Sequence, residues 1–268
     1  MYKLVVKLNT SFEKLSIFII GLFIIIYIII ILYDIFYTEI LNRKKINYYL
    51  QYISKFYNGR DDSHGIEHVK QVAKIALNYS NSYYFTQNEI KIIIITALLH
   101  DAYDHKYIID INKVKKDINK VLRNLNFTDT EINTIHNIIE DISFSKEKKK
   151  RVDSKKEINT FNDNRIQLIR NIVSDADKST SLGEIAIIRM IQYMNHSSRK
   201  KCEKKSMKWY QNHIDHIIKH CNEKLFILLS HNYIRTEIGR YDCLKKENKL
   251  RDIISKRDLL INYISKYG

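Results

Sequence analysis

The 268 residues contain no proline and only 6 glycines. Those two residues supply most tight-turn punctuation. The period-2 alternation that would accompany such turns in a sheet protein is missing as well, which excludes a fold built from strands and hairpins despite abundant isoleucine. Cysteine is nearly as scarce. Cys202, Cys221 and Cys243 are odd in number and show no C-x-x-C spacing, so they read as thiols in a reducing compartment rather than as a disulfide framework or zinc ligands. A chain of this length holds one substantial domain plus an appendage, with a core that needs no disulfide staples.

What is plentiful is isoleucine, lysine, asparagine and tyrosine. Lys and Arg number 45 against 30 Asp and Glu, a formal charge of +15. Such an excess favours anionic partners such as nucleotides, nucleic acid or acidic lipid. The same lysines follow from an AT-rich coding sequence without any binding surface, so charge alone selects no partner. The basic runs, including Arg199-Lys200-Lys201, lack the aromatic and motif context of a nucleic-acid surface and read as solvated loops.

Leu15 to Tyr33 is an uncharged apolar run of 19 residues, close to a bilayer core in length at helical rise, and reads as a transmembrane helix. It is too long for a cleavable signal peptide and no A-x-A-like site follows it. Lys3, Lys7 and Lys14 precede it and Arg43, Lys44, Lys45 and Lys55 follow it, a count that slightly favours a cytosolic C-terminal domain. The organisation expected is a tail at 1–14, a membrane helix at 15–33, a linker and first helix at 34–60, and a folded domain at 61–268.

Beyond the anchor the apolar residues repeat at helical spacing. Val69, Val72, Ala73 and Ala76 fall at i, i+3, i+4 and i+7. The segments 132–142, 166–173, 182–193 and 213–229 keep the same habit, so the domain reads as all-α. Ser145 to Asn164 and Asn195 to Lys208 are polar and read as loops.

The most informative feature is His100-Asp101, which closes the apolar run Ile92 to Leu99. An imidazole beside a carboxylate at the end of a buried helix can ligate one divalent cation. The pair gains weight from His64 and His68 upstream and from Asp175-Ala176-Asp177-Lys178 downstream. His64 and His68, four residues apart, would share a face if both lie on a helix.

The ordered set Asp61-Asp62-Ser63-His64-Gly65-Ile66-Glu67-His68, Ala97-Leu98-Leu99-His100-Asp101-Ala102-Tyr103-Asp104-His105-Lys106-Tyr107 and Val173-Ser174-Asp175-Ala176-Asp177-Lys178 resembles the HD-domain metal-dependent phosphohydrolases, in particular the small stand-alone branch. Ile142-Ser143-Phe144, Leu182-Gly183, Arg189, His220 to Leu225 and Thr236 to Gly239 fit the same pattern, and the likeness runs from about Asp61 to Gly239. It implies an HD-domain helical bundle, a metal site made of His68, His100, Asp101 and Asp177, and hydrolysis of a phosphoester or phosphoanhydride, with a nucleotide as the expected substrate. Two imidazoles and two carboxylates suit one divalent ion among Mn, Ni, Co, Fe, Zn or Mg, without selecting among them. Asp104, one turn beyond Asp101 if the helix continues, is the candidate for positioning water or moving a proton. His64, Lys106, Lys178, Arg189 and Lys224 are candidates for phosphate contacts. His105, His136, His196, His213, His216 and His231 receive no role.

The chain departs from that pattern at Gln71, where arginine is usual, and at Ser179-Thr180-Ser181, where a carboxylate is expected. Both changes remove charge near the site and leave the four ligands intact. They also keep open a rival class, a non-enzymatic metal- or nucleotide-binding sensor or scaffold. A further rival is a zinc protease, because His64-Gly65-Ile66-Glu67-His68 satisfies H-x-x-E-H. That reading leaves His100, Asp101 and Asp177 unexplained. The cyclic-dinucleotide branch, with its GYP motif, is excluded by the absence of proline. A stringent-response hydrolase would carry an acidic pair where Ala102-Tyr103-Asp104 stands.

Overall fold

The computed structural model describes residues 2–60, 64–104, 107–154, 160–196 and 205–268. Every regular element among them is helical: α1 (Tyr2–Ile53), a 3₁₀ turn (Ser54–Tyr57), α2 (Ile66–Ser80), α3 (Gln87–Leu99), α4 (Ile111–Asn124), α5 (Asp129–Asp141), α6 (Phe144–Ser154), α7 (Asn164–Ser179), α8 (Glu184–His196), α9 (Met207–His220), a π turn (Cys221–Leu225), α10 (Ile227–Ser230), α11 (Glu237–Ser255) and α12 (Arg257–Tyr267).

Two compact units divide the chain, Met1–Asn47 and Tyr48–Gly268. The first is helical throughout its described length, so the expected boundaries at 14/15 and 33/34 coincide with no break in secondary structure. From Ile19 to Tyr33 its large apolar side chains are exposed. Among the described residues α1 is the one helix long and apolar enough to cross a membrane.

In the second unit, α2 packs on α3 and α7, and α3 also packs on α5 and α7. All eight residues of the run Ile92 to Leu99 are buried, which is why that segment is apolar all round. A second core joins α8, α9, the π turn, α10, α11 and α12 around Ile187, Ile191, Ile217, Leu250 and Ile264.

A chain without proline must end its helices by other means. Thr86 and Thr128 form capping boxes with Glu89 and Glu131, and Asp110, Asp163, Ser206 and Thr236 cap α4, α7, α9 and α11. At the other end, Asn126 (φ 61°) and Asn232 (φ 54°) take the left-handed conformation. Phe127 N donates to Leu122 O and Asn126 N to Arg123 O; Tyr233 N and Asn232 N repeat this to Leu228 O and Leu229 O. These are Schellman closures of α4 and α10 with asparagine in the usual glycine place.

The polar segment 145–164, expected as a loop, is helical through Ser154 as α6. Residues 155–159 lie outside the described residues. The reason for the helix is Glu147, which is buried and takes Lys178 Nζ (2.9 Å) and Arg170 Nη2 (3.3 Å) on one oxygen, Arg235 Nη2 (2.8 Å) and Arg151 Nη2 (2.9 Å) on the other. Three of these partners are distant in sequence, so local polarity gives no hint of the burial. The second loop, expected at 195–208, is bracketed by the end of α8 and the start of α9, with 197–204 outside the described residues.

Burial alone would raise the pKa of Glu147, but Lys178 and Arg170, with Arg235, outweigh it and hold the carboxyl down at about 2. A folded-state pKa below the ordinary value of about 4.3 gives stability that is complete above that value and is lost as pH falls toward about 2. Glu147→Gln should cost about 3–5 kcal/mol, a fall in Tm of roughly 6–20 °C, by leaving several buried cations short of a counter-charge. Between about pH 4.5 and 2 the Tm of the wild type should fall more steeply than that of the variant. Parallel Tm–pH curves would refute the assignment.

Candidate metal centre and adjoining cavity

Three helices bring the candidate ligands together. His68 sits in the first turns of α2, His100 caps the C-terminus of α3 with Asp101 directly after it, and Asp177 lies near the end of α7. The Nε2 atoms of His68 and His100 are 3.3 Å apart. Asp101 Oδ2 is 3.5 Å from each of them and Asp177 Oδ1 is 3.4 Å from each. These separations suit donors placed roughly 2.0–2.2 Å from a shared centre. His68, His100 and Asp101 form a cluster able to hold a metal ion, and Asp177 joins it by touching both imidazoles.

The supporting contacts favour the same use. His100 Nδ1 lies 2.8 Å from Ala97 O, so its proton is donated there and Nε2 is left to face the cluster. Burial lowers the pKa of His100, yet Asp101 and Asp177 outweigh it and hold the imidazole up at about 9. At His68 burial prevails and the pKa is lowered despite the hydrogen bond to Asp177. Burial also opposes the Asp177 carboxylate, but His100 and His68 hold it well below the ordinary carboxylate range. Two carboxylates around two buried imidazoles favour positive charge at their centre, which a divalent cation would provide.

Two residues that the sequence reading missed hold the end of α3. Arg60 donates Nη1 to Asp101 O at 2.7 Å and Nη2 to Ala102 O at 3.1 Å, and Tyr57 donates its hydroxyl to Leu98 O at 2.6 Å. A cation just beyond a helix C-terminus, here on the carbonyls of the turn that follows α3, is favourable toward the helix dipole. Nothing in the sequence pairs Arg60 with a helix end 41 residues later.

The other predicted residues fare differently. A cavity of about 360 Å³ is lined by His64, Arg189 and Lys224, together with Ser181, Tyr193, Met190, His216, His220 and Leu225 among others. His64 precedes α2, whose N-cap is Gly65, so it does not share a helical face with His68 as expected. Its ring still lies 6.5 Å from that of His68, and its Nδ1 is 3.2 Å from the Tyr107 hydroxyl. Arg189 donates to Thr180 Oγ1 at 3.2 Å, and that hydroxyl donates to Asp177 O at 2.7 Å. The cavity therefore adjoins the cluster through His64 and Arg189.

Lys178 is a correction. It is buried and donates to Glu147, to Ser174 Oγ (2.5 Å) and to Tyr233 O (3.2 Å), so it ties α7 to α6 and is not placed for substrate. Asp104 is not on a continuing helix, because α3 ends at Leu99. It is half-buried at the close of a turn in which its N–H donates to Asp101 O at 3.0 Å. Lys106, like Asp61, Asp62, Ser63 and His105 of the quoted motifs, lies outside the described residues. The H-x-x-E-H reading fails on geometry, since the Glu67 side chain is 82% exposed and reaches Lys70 rather than the cluster.

Neither a protein-family model nor a curated protein matches the sequence. Solved structures do match in shape. A Lactobacillus plantarum protein is 21% identical and superposes with a TM-score of 0.56 over 79% of this chain and 94% of its own. An HD-superfamily hydrolase from Bacillus thuringiensis is 19% identical, with a TM-score of 0.54 over 82% of this chain and 96% of its own. The fold is the HD-domain fold. Bacillus subtilis YpgQ in complex with ADP is also similar, at 16% identity and a TM-score of 0.54 over 80% of this chain and 93% of its own. In this HD fold the His-Asp pair stands where α3 stops, so the wall of the site is built from helix ends.

Proposed function

We propose that this chain is a membrane-anchored, metal-dependent phosphohydrolase that cleaves a phosphoester or phosphoanhydride bond of a nucleotide. The observation that carries the reading is the convergence of His68, His100, Asp101 and Asp177 beside a cavity furnished with His64, Arg189 and Lys224. The ADP held by YpgQ supports a nucleotide as the phosphorylated partner. A divalent ion held by the four residues would supply Lewis acidity toward a phosphoryl oxygen and acidify a bound water. Arg189, Lys224 and His64 would bind and orient the phosphate oxygens, and Asp104 would take up the proton of the attacking water.

The deciding experiment is a screen of nucleoside mono-, di- and triphosphates with the full chain in detergent, adding Mn, Ni, Co and Mg separately. Ion-dependent release of phosphate or pyrophosphate is expected. No turnover with any pair would leave the sensor or scaffold class instead.

The anchor is tested apart from the chemistry. Lysine at both Ile24 and Ile28 places two charges one turn apart in the apolar stretch, each costing roughly 2.5–3.5 kcal/mol at the centre of a membrane helix. The doubly substituted protein should move from the carbonate-washed pellet to the supernatant. Wild-type protein already in the supernatant would show that α1 does not span a membrane.

A further inference from the structure

One wall of the cavity is a row of three rings to which sequence analysis assigns no task. Tyr193 projects from α8 and His216 and His220 from α9, two helices that pack together. The ring centroids of Tyr193 and His216 are 6.3 Å apart, those of His216 and His220 6.0 Å, and each pair is within 22° of parallel. All three rings line the cavity, as do Arg189, Lys224 and His64. The arrangement is a shingled aromatic wall beside cations.

Two histidines four apart on a helix could hold a metal instead. The charges around them oppose that use, because Lys224 and Arg189 line the same cavity and Lys219 lies one turn from His216. Burial, with Lys224 and His216 adding to it, pushes the pKa of His220 down to about 4; burial, with His213 and Lys219, also lowers that of His216. Near neutral pH both imidazoles are uncharged rings. A cavity of about 360 Å³ lined by aromatic rings with cationic groups beside them has the size and lining of a site for a planar ring carrying an anionic tail.

We propose that Tyr193, His216 and His220 form a stacking platform for the base of a nucleotide, whose phosphates extend toward Arg189, Lys224 and the His68–His100–Asp101–Asp177 cluster. The proposal rests on the nucleotide reading above and deepens it by naming the groups that recognise the base. Stacking accepts any base, since every base has a π-face, so the platform distinguishes nucleotides from base-free phosphates more than one nucleotide from another.

The test is calorimetric titration of the full chain in detergent, with Mn present, using ADP and pyrophosphate as probes. His216→Leu and Tyr193→Leu should each weaken ADP about 5- to 100-fold and leave pyrophosphate within about twofold. Tyr193 is 57% exposed, so its replacement spares the core, and Tyr193→Phe, which keeps the ring, should bind ADP like wild type. Equal affinity of wild type for the two probes, equal loss of both in the leucine variants, loss of ADP in Tyr193→Phe, or no ADP binding at all would overturn the platform. Turnover plays no part in this readout. Base-dependent binding without hydrolysis would sink the enzyme reading alone, whereas hydrolysis with equal ADP and pyrophosphate affinities would sink the platform alone.

Discussion

Asp101→Ala is expected to lower the bound divalent ion from about one per chain to near none and to abolish ion-dependent phosphate release. The residue sits 3.5 Å from both imidazoles and would supply one of the two carboxylates that offset an ion's charge. Its loss leaves two neutral nitrogens and one oxygen, a weaker and less charged set. In wild type an ion at a hundredfold excess over its Kd adds about 2.7 kcal/mol to stability, so Tm should rise when Mn is added. The variant should show no such rise. Elemental analysis returning equal metal in both proteins would remove Asp101 from the site.

Asp104→Asn should reduce kcat by about 10²- to 10⁴-fold while metal content and Tm stay near wild type. The turn that follows α3 fixes Asp104 relative to Asp101 through the N–H to carbonyl bond at 3.0 Å, and asparagine keeps the size of the side chain while losing the basic oxygen. A pH–rate profile sharpens the measurement, since a variant without its base should lose the acidic limb of the wild-type curve. Undiminished turnover would leave the proton to another group or to water.

The helical class and the end of α3 were legible in the sequence, because eight consecutive apolar residues followed by His-Asp describe a helix that is buried throughout and ends at a polar wall. The start of α2 was not, since Gly65 interrupts the spacing that would have put His64 and His68 on one face. Lys178 reads as a phosphate contact because a transferring phosphoryl group needs cations around its oxygens. Its direction is set by Glu147, 31 residues away, and no local pattern reports such a pairing. Arg60 was missed for the same reason. His216 receives no role in the sequence because its partner ring, Tyr193, comes from a different helix.

The order of the four candidate ligands along the chain also sets a clock. During synthesis His68, His100 and Asp101 emerge early, within segments that pack on each other as α2 and α3, but Asp177 follows 76 residues after Asp101. A nascent chain lacking α7 offers two imidazoles and one carboxylate, and α2 and α3 lack a helix that both pack against. The complete site can therefore form only once α7 has been made, so ion capture would report that α7 has docked. Chains released before residue 164 should retain no ion after gel filtration, and retention would show that the first three ligands suffice.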